Sequence, residues 1–371
     1  MTTRSNYLPV RQEWLDQWIE PALEPDLPIF DAHHHLWDRP GWRYLLDELV
    51  ADVRGSGHSI IGTAFMQCQT MYRAKGPPPL RPVGETEFIN SIANAAVQGN
   101  IGKTQVCAAI IGHADLRLGH DVRPVLEAHI AAAGERFRGI RHITTWDADA
   151  SLMNPLSAGP PGLLADKRFR AGFACLAPLG LLFEAWLFHP QLPELIQLAG
   201  AFPDTTIVLN HCGGILGAGA YEGRRKEVFS LWSQAIAELA RHPNVRVKLG
   251  GLGMRINGFG FERSNAPPTS ERLAEVWRPY TQTCIEAFGV ERCLFESNFP
   301  VDKGSYSYGV CWNAFKRLTQ AAGASERDAL FRKSALTLYG LNDHFCIEKF
   351  RRDPNPGVCQ KEKLEDLSRE Q

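Results

Sequence analysis

Much of what would point to a simple function class is missing from this chain. No C-x-x-C pair occurs, and the nine cysteines at 68, 107, 175, 212, 284, 293, 311, 346 and 359 are odd in number and scattered. That spacing excludes a zinc knuckle and a disulfide framework and reads as reduced thiols of a cytoplasmic protein. Net charge is absent as well: 40 basic residues against 41 acidic leave −1, so no global pull toward nucleic acid or an anionic membrane exists. Apolar runs never approach the roughly 20 residues that a bilayer span needs, and "MTTRSNYLPVRQEWLDQW" lacks the apolar core of a signal peptide. No internal repeat, heptad or low-complexity segment is visible. What remains is an ordinary globular composition, 44% hydrophobic and 22% charged over 371 residues, with ample length for a large core.

Short apolar runs rich in Val, Ile, Leu and Phe recur along that length. Strands are expected at Pro28–Trp37, Ile60–Cys68, Val106–Ala114, Arg136–Thr144, Gly180–Phe188, Thr206–His211, Val245–Gly251 and Arg292–Phe299. Between them, the stretches from Val122, Gln191 and Arg225 carry apolar residues at three- and four-residue spacings, the pattern of amphipathic helices. Strands alternating with helices imply parallel pairing, because a parallel connection needs a crossover. Eight such units give a single α/β domain, a closed (β/α)8 barrel of the TIM type. A long open sheet is the runner-up, but no G-x-G-x-x-G follows the first strand to support a dinucleotide fold.

Four segments fall outside this rhythm, two peripheral ends and two loops. Residues 1–27 read as an N-terminal arm, 28–341 as the barrel, and 342–371 as a polar C-terminal tail. The Pro- and Gly-rich "MYRAKGPPPLRPVGETEF" and "WDADASLMNPLSAGPPGLLADKRFR" follow the second and fourth strands. Both should be long excursions over the C-terminal mouth, where barrel active sites lie.

The first strand carries "FDAHHHLWD". Side chains alternate along a strand, so His33 and His35 share a face with Asp31, and His34 takes the other. Other strand ends add polar groups at the same mouth. The fourth ends on Arg141 and His142, the fifth on His189, the sixth on His211 within "LNHCGG", the seventh on Lys248 within "VKLGGLG". The eighth, "FESNFP", brings Glu296 and Asn298 on one face. Five polar strand ends around one mouth are hard to explain as packing.

D-A-H-x-H-L-W on the first strand, "NHCGG" on the sixth and "FESNFPVDK" on the eighth together resemble the amidohydrolase superfamily. Within it the chain is most similar to the amidohydrolase-related lactonase group, which includes 2-pyrone-4,6-dicarboxylate lactonase and the L-fucono- and L-rhamnono-lactonases. The resemblance covers about Pro28 to Leu341. It implies a hydrolase that opens a lactone or similar cyclic ester. His33, His35 and His211 match the histidines that polarise the carbonyl, and an acid at the end of the eighth strand activates water. The alternatives are a Zn-dependent non-oxidative decarboxylase of the same superfamily and a catalytically altered barrel that binds a small molecule.

One departure shapes the chemistry. Asn298 stands where the group carries an aspartate, and an amide is no general base. Glu296 is then expected either as general base or as a structural partner of Arg141 or Lys248, with Asp302 and His189 as the other candidate bases. Asn298 is expected to donate a hydrogen bond to a developing oxyanion. The fourth strand offers no lysine for a binuclear site. The expectation is therefore catalysis without a cofactor, with one Zn2+ on His33, His35 and His211 as the alternative. Asp31 would orient an imidazole. For substrate contacts, Arg141, Lys248, Tyr72, Arg73, His189 and Tyr306 are the candidates, with Trp146, Arg255 and Tyr308 on neighbouring loops. They suit an oxygen-rich or carboxylated cyclic ester. Nothing suggests a nucleic-acid or membrane partner, and a homo-oligomer is compatible with everything above.

Overall fold

The computed structural model describes residues 7–99, 104–154 and 158–341. Its contacts group Met1–Ala335 as one unit and Leu336–Gln371 as a second, described only to Leu341. The expected polar tail at 342–371 lies outside the described residues.

Eight strands form one sheet in chain order: β1 (Pro28–His34), β2 (Ser59–Met66), β3 (Gln105–Gly112), β4 (Phe137–Arg141), β5 (Leu182–Ala185), β6 (Ile207–Leu209), β7 (Val245–Leu249) and β8 (Cys293–Phe295). Each pairs in parallel with the next. The ring closes just past β8, where Asn298 N donates to His33 O at 2.9 Å and His35 N donates to Phe299 O at 2.7 Å. A single parallel bridge joins His34 to Phe299. Helices between the strands cover the outside, giving the (β/α)8 barrel that the sequence pattern implies.

The helices bury one stripe each. Ser270–Phe288 turns Leu273, Trp277, Tyr280, Cys284 and Phe288 inward at three- and four-residue steps, and Thr269 caps its first turn by accepting from Arg272 N at 3.1 Å. The helices expected from Val122, Gln191 and Arg225 are Arg123–Ala133, Leu192–Ala201 and Arg225–Leu239. The excursion after β2 becomes helical at Val83, where Gly84 lies against Arg73; a Cβ there would stand 2.7 Å from Arg73 N. Seven described cysteines are free and buried. Among the described residues no helix is long and apolar enough to cross a membrane.

Strand ends differ most from expectation. Reading strands to Thr144, Phe188 and His211 runs past the observed ends at Arg141, Ala185 and Leu209. The apolar residues beyond those ends do not continue the ladder; they build the mouth. A hairpin that the pattern did not announce, Trp37–Arg39 with Trp42–Tyr44, follows β1 and turns through Pro40 and Gly41, whose φ of 76° favours a residue without Cβ.

The N-terminal arm is fastened along the barrel wall. Arg11 Nη2 donates to Glu262 O at 2.7 Å, Trp14 Nε1 to Ser264 O at 3.0 Å, and Lys316 Nζ to Leu23 O and Glu24 O. Its first described residues, Tyr7 and Leu8, come to the C-terminal mouth, where Tyr7 stacks on Trp37 at 6.0 Å.

Candidate active site

At the mouth the chain leaves the sheet in unusual backbone. His211 and Asn298 have φ of 54° and 56°, sparsely populated conformations for residues with a Cβ. Gly251 makes room for the first: a Cβ there would stand 2.3 Å from His211 Nδ1. Gly250 does the same for Glu296, at 2.4 Å from its Cγ.

Glu296 lies at the centre, fully buried. One carboxylate oxygen is 2.7 Å from His211 Nδ1 and also accepts from His211 N at 3.1 Å. The other is 2.8 Å from His33 Nδ1, close but poorly aligned for a hydrogen bond. Its direct partners are thus two imidazoles, not Arg141 or Lys248. A carboxylate only accepts, so both Nδ1 atoms are best protonated, and each neutral ring then carries its lone pair on Nε2. His35 is oriented by a different group to the same end: its Nδ1 donates to Met66 O at 2.8 Å. Nε2 of His33 and Nε2 of His35 stand 3.2 Å apart. Burial, with the charges of Lys248 and Arg141 nearby, holds His33 well below the usual imidazole range; burial and Arg141 do so for His35.

Two buried cations flank the rings. Arg141 Nη1 is 3.3 Å from His33 Nε2, and its Nε donates to Gln67 Oε1 at 3.2 Å while Nη2 donates to Gln67 O. Lys248 Nζ forms an ion pair with Glu184 at 2.8 Å, and Asn210 Nδ2 donates to the same carboxylate oxygen at 2.5 Å. Glu184 and Gln67 were not anticipated. The available signal was a lone carboxylate inside the apolar run "LLFEAW", since a charge on a buried strand must find a partner.

Asn298 faces Asp302: its Nδ2 donates to Asp302 Oδ1 at 3.0 Å. Gly253 N and Tyr306 OH donate to Oδ2 at 3.0 and 2.5 Å. Burial pushes the Asp302 carboxyl up to about 7 against those hydrogen bonds. Asn298 Oδ1 is buried with no hydrogen-bond partner among the described residues.

Several expected contacts lie elsewhere. Asp31 does not orient an imidazole; it accepts from Ser297 N at 2.9 Å, Ser297 Oγ at 2.6 Å and Tyr308 OH at 2.9 Å, fastening the β8–β1 seam. The reason is a register shift in β1 between Asp31 and His34, which breaks the alternation. Arg73 is taken up by Glu87 in a half-exposed ion pair. His189 accepts from Leu216 N at 3.3 Å and packs on Tyr221. His142 accepts from Leu116 N at 3.2 Å. Tyr306 reaches the site through Asp302, and the half-buried Tyr72 sits with its hydroxyl raised in pKa by burial. His34 pairs outward with Thr63 Oγ1 at 2.8 Å, as alternation implied.

Beside the rings lies a narrow cleft of about 60 Å³, lined by Tyr7, Leu8, Leu152, Trp186, Phe188, Met254, Ile256 and Val301 with Thr145, Asn154 and Arg255. The histidines do not line it directly, being at most 3% exposed. Trp186 joins the two, its ring centred 4.7 Å from that of His211.

Could the residues hold a metal? Among the described residues one group of possible ligands stands together, His33, His211 and Glu296, with donor atoms within 4.8 Å of one another. Two nitrogens bound to one ion at roughly 2.0–2.1 Å each, at near-tetrahedral angles, are about 3.2–3.4 Å apart. The 3.2 Å between the Nε2 atoms of His33 and His35 fits that bite. The residues therefore fit one divalent ion, and Arg141 supplies a positive charge at the same lone pair.

A family model described as amidohydrolase matches residues 30–341. An uncharacterized protein, y4mH, of Sinorhizobium fredii is 34% identical over 328 residues, covering 85% of this chain and 99% of that one. L-fucono-1,5-lactonase of Burkholderia multivorans is 25% identical over 327 residues, 84% of this chain and 95% of its own. Among solved structures, an amidohydrolase from Burkholderia multivorans with bound zinc superposes with a TM-score of 0.64 at 22% identity, covering 85% of this chain and 99% of that one. From the span of the family match and the identity to y4mH, the chain belongs to the amidohydrolase family.

Proposed function

We propose that this barrel is a hydrolase that opens a cyclic ester by attack of water on the ring carbonyl. The observation that carries the reading is the orientation of the three histidines. Glu296 accepts from His211 Nδ1 and lies 2.8 Å from His33 Nδ1, and Met66 O accepts from His35 Nδ1. The Nε2 atoms are thereby turned away from Glu296 and Met66; that of His33 meets Arg141 Nη1 at 3.3 Å and His35 Nε2 at 3.2 Å, contacts that a substrate or an ion would displace. The fuconolactonase name of a relative agrees with such chemistry, as does the hydrolase character of the family.

In this reading Glu296 is a positioning residue, because it lies against the Nδ1 atoms of His33 and His211, away from the Nε2 atoms that would meet a substrate. Asp302 serves as the base. Its carboxyl, raised to about 7, changes protonation in the range where a base works best. Asn298 replaces the usual aspartate as an orienting group: its unpartnered Oδ1 accepts one hydrogen bond from the attacking water, and the water's other proton passes directly to Asp302, which the Asn298 amide holds beside it. Arg141 faces the carbonyl end of the site beside His33 and stabilises the oxygen as it gains charge.

A single Zn2+, held by the Nε2 atoms of His33 and His35 with His211, fits these residues. When bound it would polarise the carbonyl and lower the pKa of a coordinated water. Orientation of the imidazoles by Glu296 and Met66 serves either case.

The test is hydrolysis of a lactone panel, followed as acid release at constant pH, with the metal content of the purified protein measured alongside. Ring opening that disappears in His211→Ala supports the reading. A silent wild type with stoichiometric metal and carbon dioxide release from an aromatic acid would favour the decarboxylase.

A further inference from the structure

The loops beyond β4 to β7 build an apolar cluster separate from the barrel core. Leu152, Trp186, Phe188 and Leu216 are buried together, and Met254 and Ile256 pack against them. The cleft opens on the face of this cluster, and the N-terminal arm contributes Tyr7 and Leu8 to its lining.

That arm is seated by design of the local sequence. Gly304 lies where a Cβ would stand 2.4 Å from Leu8 Cβ, so only glycine admits Leu8 at this depth. Tyr7 is held by Trp37 and by Trp42, whose ring is 5.6 Å away edge-on, and the Arg39 guanidinium lies 5.4 Å from its ring. Arg11 and Trp14 fasten the following turn to backbone carbonyls.

The lining argues against two kinds of ligand. A polyhydroxylated ring needs a hydrogen-bond partner for each hydroxyl taken from water. Against eight apolar or aromatic residues the cleft sets only Thr145, Asn154 and Arg255. A dicarboxylate needs two cations at close range, and Arg255 is the one charged residue of the lining.

Building on the cyclic-ester reading, we propose that the cleft binds an apolar arm, alkyl or aryl, carried by the ester ring. Leu8 closes over that arm from the N-terminal segment, making Leu8 a specificity residue drawn from outside the barrel. The ring itself reaches His211 past Trp186. Each methylene buried in such a wall is worth about 0.8 kcal/mol, roughly fourfold in affinity.

Two measurements test this. The first compares kcat/KM for an unsubstituted six-membered lactone, the same ring with a five-carbon side chain, and a polyhydroxylated sugar lactone. The side chain should raise kcat/KM at least tenfold, through KM. Leu8→Ala should cost the substituted lactone about tenfold more in kcat/KM than it costs the unsubstituted ring. A preference for the sugar lactone, or an equal loss on all substrates, overturns the proposal.

The second uses calorimetry with the corresponding lactams, which resist hydrolysis. The pentyl-substituted lactam should bind at least tenfold more tightly than the bare lactam, less so in Leu8→Ala and in Ile256→Ala. Equal binding of the two lactams overturns the apolar-arm proposal whether or not any lactone is opened. Lactam selectivity without turnover of any lactone sinks the hydrolase reading alone.

Discussion

His211 Nδ1 lies 2.7 Å from Glu296 Oε1, and the same oxygen also accepts from the His211 backbone N–H at 3.1 Å. One carboxylate oxygen thus holds both a ring and the strained backbone that carries it. Replacing Glu296 by Gln puts an amide N–H against one of two imidazole N–H groups and forces that ring into the other tautomer. Loss of such an orienting group typically costs 10–100-fold in activity or metal affinity. Glu296→Gln should therefore lose about that factor in kcat while remaining folded by circular dichroism. Unchanged kcat would remove Glu296 from the account.

Gly251 faces the same ring from just past the neighbouring strand β7. With φ of 64° and a would-be Cβ 2.3 Å from His211 Nδ1, Gly251→Ala has to displace the imidazole. The expected outcome is loss of turnover by at least tenfold, with the His211 ring resonances shifted by NMR. A variant with native spectra and rate would show that the ring has room to spare.

Asp302 sets a pH dependence with two readouts. As a base it works only when ionised, so kcat/KM should fall with unit slope as pH drops through about 7, and Asp302→Asn should remove the remaining activity. Stability runs the other way. The folded carboxyl is raised above its ordinary value of 3.8, so the folded state binds more protons between about pH 4 and 7 and stability falls as pH rises through that window. Asp302→Asn removes this dependence. Its Tm relative to the native protein should therefore be higher at pH 8 than at pH 5, measured by calorimetry. A pH-independent difference would place the titration elsewhere.

Lys248 and Glu184 form a fully buried ion pair at 2.8 Å. Removing one partner leaves an uncompensated buried charge, at a cost of about 3–5 kcal/mol. Lys248→Met should show that loss in urea unfolding, and the double variant Lys248→Met with Glu184→Gln should recover much of it. Additive losses would mean that the two side chains act independently.

The strand pattern made the barrel legible, because eight β-branched and apolar runs alternate with amphipathic helices, and strand order then follows from short parallel crossovers. His33, His35 and His211 were legible for the same reason: each is a polar residue at the end of an apolar strand. Their second partners were less so. Alternation placed Asp31 beside the imidazoles, but a register shift in β1 turns its carboxylate to Ser297 and Tyr308, and Glu296 takes the role instead. Periodicity cannot announce a bulge. Nor can it show that Trp186 and Phe188, read as the end of a strand, line a cleft, or that Leu8 crosses from the N-terminal arm to face them. Those relationships depend on where loops go after the ladder ends, which local sequence leaves free.

The central claim is that three imidazoles, oriented by Glu296 and Met66, open a cyclic ester. Its most direct test is acid release from a lactone at constant pH by the native protein and by His211→Ala. The account predicts one acid equivalent per ring opened by the native protein and loss of that activity in the variant. No turnover of any lactone, or an undiminished rate in His211→Ala, would contradict it.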